Sequence, residues 1–587
     1  MMRSIHGSLL LCGVIVGGVA LVPAEAPLVP ALIVEYEADD RSVSAAFDLE
    51  WSERQRDRHA KLDEAWIHKL EAVPFESLSR GDQADWLLLR NDIEKKKAML
   101  RREAQQLAQM EFLLPFRSGI QRLESQRQER LPMDAEQAAA GLADMIRILG
   151  ELRSRIDEKR KKAPDAAVPP AAEPAPLSAL PDITPSLAWQ AAKATDAIRA
   201  SLRDWFQFYD GYQPDFGWWV REPSAKLIGA LEAHSKFLRE EIAGLKGEPG
   251  DPLVGYPIGS AELASGIAGE MLPYPAEELI AIGEREFAWC EQRMQETAAA
   301  MGTDRVGVLE KIKAAHVPPG AQDELVAVEA ERAVAFLKKH ELVTIPELCE
   351  ETWRMRMIPA DLQKTLPYAV YSQPAMMVAY ACESMPYEDK LMSMRGNNRH
   401  FARIVTPHEL IPGHHLQRYM SDRCNPWRRR FNTPFYVEGW ALHWEMLLWD
   451  LGYAESPEDR AGMLFWRMHR CARVIVSLKF HIGKMTPAEM VDFLVQRVGH
   501  EKMGAASEVR RYIGGDYGPL YQASYLLGGL QFRALHRELT GPGKLSNRAF
   551  HDAVLKEGSM PVELLRAVLT NAPLSRNWRS TWRFAEP

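Results

Sequence analysis

The stretch Thr406–Gln417, TPHELIPGHHLQ, is the most informative part of the sequence. It begins like the zinc motif H-E-x-x-H, in which two histidines one helical turn apart bind the metal and the glutamate activates water. The fourth position after His408 is Pro412, which cannot bind a metal, and the next imidazoles are those of His414 and His415. The stretch therefore resembles a helical zinc motif that contains two additional residues.

An unbroken helix would keep both later histidines away from a metal held by His408. At 3.6 residues per turn, His414 would point about 240° away from His408, and His415 would lie about 10.5 Å further along the axis. Pro412 and Gly413 are suited to interrupting the helix, because proline lacks a backbone donor and glycine accepts unusual dihedral angles such as a positive φ. A bulge of these two residues would restore the i, i+4 relation, which favours His414 as second ligand and leaves His415 as the alternative.

Glu438 is the candidate for a third ligand. It lies 24 residues beyond His414 and opens a second amphipathic helix, within YVEGWALHWE at residues 436–445. Two histidines and one glutamate leave one position open for water, as a catalytic zinc site requires, and these N and O ligands favour a single Zn²⁺ ion. Glu409 is then placed to take a proton from the metal-bound water, which would attack a scissile carbonyl. Glu445 is a candidate to orient a ligand imidazole, and a solvated position is the equal alternative.

Both motifs resemble those of the bacterial DUF885 family, whose members carry H-E-x-x-P-G-H-H followed by an E-G-W-A-L helix. The helix start at residues 274–283 and the block at residues 508–528 also resemble the family pattern, so the resemblance covers roughly residues 40–585. The family is similar to helical zinc peptidases of the angiotensin-converting-enzyme and thimet-oligopeptidase type. The resemblance implies a large, mostly α, gluzincin-like metallopeptidase scaffold with at most a few short strands.

The same resemblance suggests two further site residues. Tyr525 matches a family tyrosine, and the related peptidases use a late tyrosine to hydrogen-bond the tetrahedral intermediate. Arg511 could bind a substrate carboxylate through its planar guanidinium. The alternatives are a tyrosine packed between helices and an arginine in a structural ion pair. Leu520 and Tyr521 stand where the family has a single glycine.

Helical patterns dominate the rest of the chain. Residues 277–300 form a long amphipathic pattern after Pro275, whereas residues 342–345 and 376–381 are the candidates for strands. The Trp218–Trp219 pair is interpreted as part of the core. These patterns independently predict a mostly α architecture.

The chain divides into four regions by composition. Residues 27–162 are charged and helical, residues 163–186 are rich in proline and alanine, and residues 187–587 are helical and carry the metal motif. The Pro/Ala-rich segment is a linker or a surface insertion. The alternative to separate regions is that residues 27–587 form one structural unit. The fourth region, residues 1–26, precedes them.

Residues 1–26 have the features of a signal peptide. A basic start is followed by the apolar run Leu9–Val22 and the small-residue pattern Ala24-Glu25-Ala26. The run is shorter than the roughly 20 residues of a membrane-spanning helix. Cys12 follows Leu11, which is larger than the residue usual before a lipoprotein cysteine. We therefore expect an exported protein, periplasmic or secreted, without a stable membrane span after cleavage.

Charge and motifs restrict the function. The 72 Lys and Arg residues against 80 Asp and Glu residues give a net charge of −8, which argues against nucleic-acid binding. The sequence predicts an exported zinc-dependent hydrolase of amide bonds, most simply a peptidase acting on a peptide or small amide. The alternatives are a metal-dependent amidase or esterase for other substrates and a non-catalytic helical binding protein, which would not need Glu409.

Overall fold

A computed structural model describes residues 28–162, 180–248, 250–364, 366–515 and 517–586. Within these residues the protein forms twenty-two α-helices and three short strands, which confirms the mostly α prediction. The predicted signal peptide and residues 163–179 of the predicted linker lie outside the described residues. No helix among the described residues is long and apolar enough to cross a membrane.

The helices follow one another with short connections. The first eleven are α1 (Leu28–Ala46), α2 (Glu53–Glu71), α3 (Arg80–Met110), α4 (Arg117–Gln128), α5 (Ala135–Lys162), α6 (Pro185–Tyr209), α7 (Pro214–Lys236), α8 (Ser260–Gly269), α9 (Ala276–Ala300), α10 (Arg305–Ala314) and α11 (Gln322–Lys339). The others are α12 (Glu347–Thr352), α13 (Tyr387–Gly396), α14 (Arg399–Glu409), α15 (His414–Ser421), α16 (Pro434–Asp450), α17 (Pro457–His481), α18 (Pro487–Phe493), α19 (Lys502–Ile513), α20 (Tyr521–Leu539), α21 (Asn547–Glu557) and α22 (Val562–Leu569).

Two helix starts illustrate how the sequence defines these elements. Helix α9 begins directly after Pro275, so the long helix predicted over residues 277–300 is confirmed. Helix α6 begins at Pro185, and the Thr184 side chain accepts a hydrogen bond from the Leu187 backbone N–H. Helix α6 therefore begins two residues before the end of the predicted linker segment, because a Thr-Pro pair supplies both an N-cap and a favourable first helical position.

The hydrophobic core connects the N-terminal helices with the region that carries the metal motif. Trp66 of α2 and Trp86 of α3 belong to the same buried cluster as Trp440 and Trp444 of α16. A second cluster joins α9, α17 and α20, and a third one, around Trp205, joins α4 to α7. The predicted regions 27–162 and 187–587 thus share buried surface.

Helices α16 and α20 approach each other closely at a pair of glycines. A Cβ atom added to Gly439 would lie 2.6 Å from the Cα atom of Gly528, and one added to Gly528 would lie 2.8 Å from that of Gly439. Real Cβ contacts are essentially never shorter than 3.0 Å. The absence of side chains at both positions therefore permits a close approach, which brings Glu438 next to the start of α20.

A three-stranded sheet lies beside α14. Its strands are β1 (Arg354–Met357), β2 (Ala369–Ser372) and β3 (Ala375–Val378), in the order β1-β3-β2. Strand β3 is parallel to β1 and antiparallel to β2. It overlaps the strand predicted over residues 376–381, whereas the strand predicted over residues 342–345 is wrong. Leu342 and Val343 are buried in a connection between helices, and short apolar runs do not distinguish that environment from a strand.

The prediction that Trp218 and Trp219 belong to the core is also wrong. Their side chains are 84% and 43% exposed. The buried face of α7 is formed instead by residues that include Phe216, Val220 and Leu227. The helical periodicity of those apolar residues places both tryptophans on the outer side of the helix.

Candidate metal centre

The helix that carries the metal motif is interrupted between α14 and α15. The Gly413 N–H donates to the Pro407 carbonyl at 2.9 Å, and the Leu416 N–H donates to the Leu410 carbonyl at 3.3 Å. Each of these bonds spans six residues, whereas an α-helical bond spans four. The backbone therefore accommodates two additional residues at this point, as the sequence predicted.

Gly413 is required by the space around it and not by a positive φ. Its φ is −76°. A Cβ atom at this position would lie 2.5 Å from the carbonyl carbon of His408 and 2.7 Å from the Pro407 carbonyl oxygen. The indole Nε1 of Trp440 donates to the Pro412 carbonyl at 2.8 Å, so α16 fixes the interrupted segment from outside.

The interruption brings His408 and His414 together with Glu438. One ligand atom of each residue lies within 4.8 Å of the others, and all three residues are buried. The Glu438 Oε2 atom lies 3.3 Å from His414 Nε2 and 3.6 Å from His408 Nε2. Tetrahedral zinc ligands with bonds of 2.0–2.2 Å are about 3.3 Å apart. The separations therefore fit one zinc ion.

The chemistry of the cluster also fits a cation. Among the described residues Glu438 Oε2 is buried without a hydrogen-bond partner, as is His414 Nδ1. A buried carboxylate oxygen without a partner carries a free-energy penalty that a bound cation would remove. The set of two imidazoles and one carboxylate is one that zinc accepts.

Neighbouring side chains hold the cluster in place. The His408 Nδ1–H donates to Glu445 Oε1 at 2.6 Å, so the Nε2 atom of His408 faces Glu438. Arg470 Nη2 lies 3.5 Å from the same Glu445 oxygen, and the Tyr521 hydroxyl donates to Glu438 Oε1 at 2.7 Å. Of the two alternatives for Glu445, the structure thus shows the orienting contact.

The electrostatics of the cluster follow from these contacts. Burial lowers the pKa of His408, but the carboxylates of Glu438 and Glu445 outweigh burial and raise this pKa to about 9. Burial raises the pKa of Glu438, yet the imidazoles of His414 and His408 hold it well below its usual range. The pocket therefore stabilises positive charge at the position where the three side chains meet.

His415 lies outside the cluster. Its Nε2–H donates to the Cys349 carbonyl at 2.9 Å, and its Nδ1 accepts from the Tyr371 hydroxyl at 3.1 Å. Burial lowers the pKa of His415, which favours the neutral ring that these two bonds require. Both ring nitrogens are thus engaged, so the geometry favours His414 as the ligand.

Glu409 and Tyr525 line the same cavity as the cluster, which has a volume of about 280 Å³. No lysine or arginine nitrogen of the described residues lies within 4 Å of the Glu409 carboxylate. The Tyr525 ring is parallel to the His408 imidazole, with centroids 6.3 Å apart. Burial, reinforced by the Glu438 carboxylate, raises the pKa of Tyr525, so its hydroxyl stays protonated and can donate.

Arg511 lines this cavity as well, together with Arg470 and Arg473. All candidate site residues from the sequence therefore meet in one place. The sequence analysis missed Tyr521, which lies one helical turn before Tyr525 on α20 and bonds Glu438. The sequence did contain a sign of this residue, because Leu520 and Tyr521 replace a single glycine of the family pattern. A tyrosine four residues before Tyr525 lies on the same face of the helix.

Fold and site together define a mostly helical protein with a buried His–His–Glu cluster at the wall of a cavity. The chain belongs to DUF885, a family of bacterial proteins of unknown function, whose sequence model matches residues 45–569. No curated protein matches the chain.

Solved structures share the fold at low sequence identity. A "putative lipoprotein of unknown function" from Shewanella oneidensis is 16% identical, with a TM-score of 0.65, and the match covers 93% of this chain and 100% of that one. A putative lipoprotein from Colwellia psychrerythraea is 15% identical, with a TM-score of 0.56, and the match covers 92% and 98% of the two chains.

Proposed function

We propose that the protein is an exported zinc-dependent hydrolase of amide bonds, most simply a peptidase. The observation that carries the proposal is the convergence of His408, His414 and Glu438 at ligand-to-ligand distances that fit zinc, with Glu409 at the same cavity wall. A storage site would need the three ligands only.

His408, His414 and Glu438 would hold the metal. A bound zinc ion would lower the pKa of water and polarise a carbonyl group. Glu445 and Tyr521 position two of the ligands through their bonds to His408 and Glu438, and this support preserves the geometry during turnover.

Glu409 supplies the base. Its carboxylate accepts a proton from the attacking water and passes that proton to the leaving amine nitrogen, as a general base followed by a general acid. The hydroxyl of Tyr525 donates a hydrogen bond to the carbonyl oxygen as that oxygen gains negative charge. The products are the free carboxylic acid and the free amine, so one water is consumed for each bond cleaved.

Two observations support export to the periplasm or the medium. The apolar N-terminal segment has the composition of a signal peptide. The two structurally similar proteins bear descriptions as putative lipoproteins.

Metal analysis tests the site. Chelator-stripped protein is dialysed against zinc, and bound metal is measured by mass spectrometry. We expect one zinc ion per chain, which is lost in His408→Ala, His414→Ala and Glu438→Ala. His415→Ala serves as the matched control and should keep the ion, with affinity reduced at most about 10–100-fold as for a ligand-supporting residue. The reverse order of the two neighbouring histidine variants would make His415 the ligand.

A cleavage screen tests the activity. A peptide library is incubated with zinc-loaded protein, with and without chelator, and products are identified by mass spectrometry. Glu409→Gln should keep its zinc and lose at least about 10²-fold in turnover. A fully active Glu409→Gln variant would show that this residue is not the base. Zinc-loaded protein that cleaves small amides or esters but no peptide would favour the amidase alternative.

A further inference from the structure

Three arginines line the active-site cavity, and two of them lie against the Tyr525 ring. Arg470 and Arg473 come from α17, and Arg511 comes from α19. The guanidinium carbons of Arg470 and Arg473 lie 5.0 Å and 4.6 Å from the centre of the Tyr525 ring. Positive charge is therefore concentrated beside the residue that faces the metal ligand His408.

The carboxylates near these arginines neutralise only two of the three charges. Arg473 Nη2 donates to Glu508 at 2.9 Å, and Arg470 Nη2 lies 3.5 Å from Glu445. Within the described residues no carboxylate oxygen lies within 4 Å of the Arg511 guanidinium, and its Nε–H is buried without an acceptor. The Arg511 guanidinium lies 4.8 Å from the centre of the Tyr517 ring, a cation–π contact that leaves its charge unneutralised, so an anionic group of a ligand at this position would be stabilised.

The Oε2 atom of Glu508 is already engaged by other donors. It accepts hydrogen bonds from the Tyr512 hydroxyl at 2.7 Å and from Arg473, and His469 Nε2 lies 3.4 Å away. Burial raises the pKa of Glu508, but Arg473 and His469 hold it well below its usual range. Glu508 therefore acts as a positioning residue for Arg473, and Arg511 keeps its capacity for a ligand.

We propose that Arg511, with Arg473, binds the C-terminal carboxylate of a peptide substrate, so that the protein removes one or two residues from the C-terminus. This inference rests on the proposed peptidase function. The planar guanidinium group matches a carboxylate with two parallel hydrogen bonds. Hydrolysis adds water across the amide, giving a shortened peptide acid and a released amino acid or dipeptide.

The distances set an upper limit on the length of the released fragment. The centre of the Tyr525 ring lies 6.3 Å from the centre of the His408 ring and 4.6 Å from Arg473 Cζ. Arg473 Cζ therefore lies within about 11 Å of the His408 ring centre, and one extended residue spans about 3.3–3.6 Å. Part of this distance is taken up by the ligand bond and by the guanidinium–carboxylate contact. The remainder accommodates at most one or two residues.

A matched peptide pair tests the inference. N-acetylated hexapeptides of one sequence, ending in a free carboxylate or in a carboxamide, are incubated with zinc-loaded full-length protein, and kcat/KM and the released fragments are measured by mass spectrometry. We expect the acid to be preferred at least about tenfold, the effect of one charge-assisted contact, with release of one or two residues. Arg511→Gln should reduce this preference to near unity by slowing the acid alone.

Two further variants separate recognition from folding. Arg511→Lys keeps the charge without the planar fork, so it should retain part of the preference. Arg510→Gln is the matched control, because Arg510 donates to the Asp251 carbonyl at 3.0 Å and should show the full preference of the wild type. Zinc content and melting temperature are measured for each variant.

The outcomes distinguish the two proposals. Equal cleavage of acid and amide by the wild type, or release of longer fragments, would overturn the carboxylate site and leave the peptidase function intact. Cleavage of neither peptide, nor of a peptide library, by zinc-loaded protein would overturn both.

Discussion

Replacement of Gly413 by alanine should abolish tight zinc binding although residue 413 is not a ligand. The added Cβ atom would lie 2.5 Å from the carbonyl carbon of His408, whereas real contacts of this kind are at least 3.0 Å. The backbone must therefore move by about half an ångström or more, and zinc sites tolerate changes of only about 0.2 Å in ligand distance. Because Gly413 directly precedes His414, the shift displaces the second ligand.

We expect zinc affinity to fall more than about 100-fold, beyond the range for loss of a ligand-supporting residue. Affinity is measured by competition with a chromogenic chelator, and circular dichroism checks that the helices remain. Gly141→Ala in α5 is the matched control, because an added Cβ there meets no atom within 4 Å and alanine favours a helix. Wild-type zinc affinity in Gly413→Ala would refute the argument that close packing fixes the interrupted segment.

Three other substitutions probe the surroundings of the cluster, and a fourth probes a buried acid. Tyr521→Phe removes the hydrogen-bond donor to Glu438 and should lower zinc affinity about 10–100-fold in a chelator titration. Tyr525→Phe should keep its zinc and lower kcat about 10²–10³-fold. Identical phenotypes of the two variants would contradict this division of roles. Glu445→Gln weakens the support of His408 and should also cost about 10–100-fold in zinc affinity, and an unchanged affinity would show that this contact is dispensable. Burial raises the pKa of Glu563 to about 7, whereas a glutamate in the unfolded chain has a pKa of about 4.3. Between these two pH values the Glu563 carboxyl is protonated in the folded protein and ionised in the unfolded chain. Stability should therefore fall by about 3 kcal/mol as pH rises from about 4 to 7 and beyond, and Glu563→Gln should remove this part of the pH dependence of the melting temperature; a variant with the wild-type pH profile would contradict the assignment.

The sequence was sufficient to predict the cluster of His408, His414 and Glu438, because zinc-ligand geometry is a strict constraint. Once Pro412 was excluded as a ligand, only a two-residue interruption could bring His408 and His414 to one metal, and the structure contains that interruption. Helix α9 was equally predictable, since its long apolar periodicity has a defined start after Pro275.

The failures concern features that depend on packing between distant segments. The reason for glycine at position 413 is the proximity of its own helix backbone, which a dihedral argument cannot show. Trp218 and Trp219 are exposed because the partner helices of α7 contact its other face. Tyr521 reaches Glu438 only because α20 packs against α16, a contact between residues 83 positions apart.

The contact between Gly439 and Gly528 lies between two groups of cavity residues. Glu438 belongs to the metal cluster and sits on one helix beside this contact, while Tyr521 and Tyr525 sit on the other. The two helices contact each other backbone to backbone, so a shift of either helix would also displace the other. The proposed metal binding and the proposed substrate contacts would therefore both depend on this one contact between helices. A substitution that moved the two helices apart would impair both roles together.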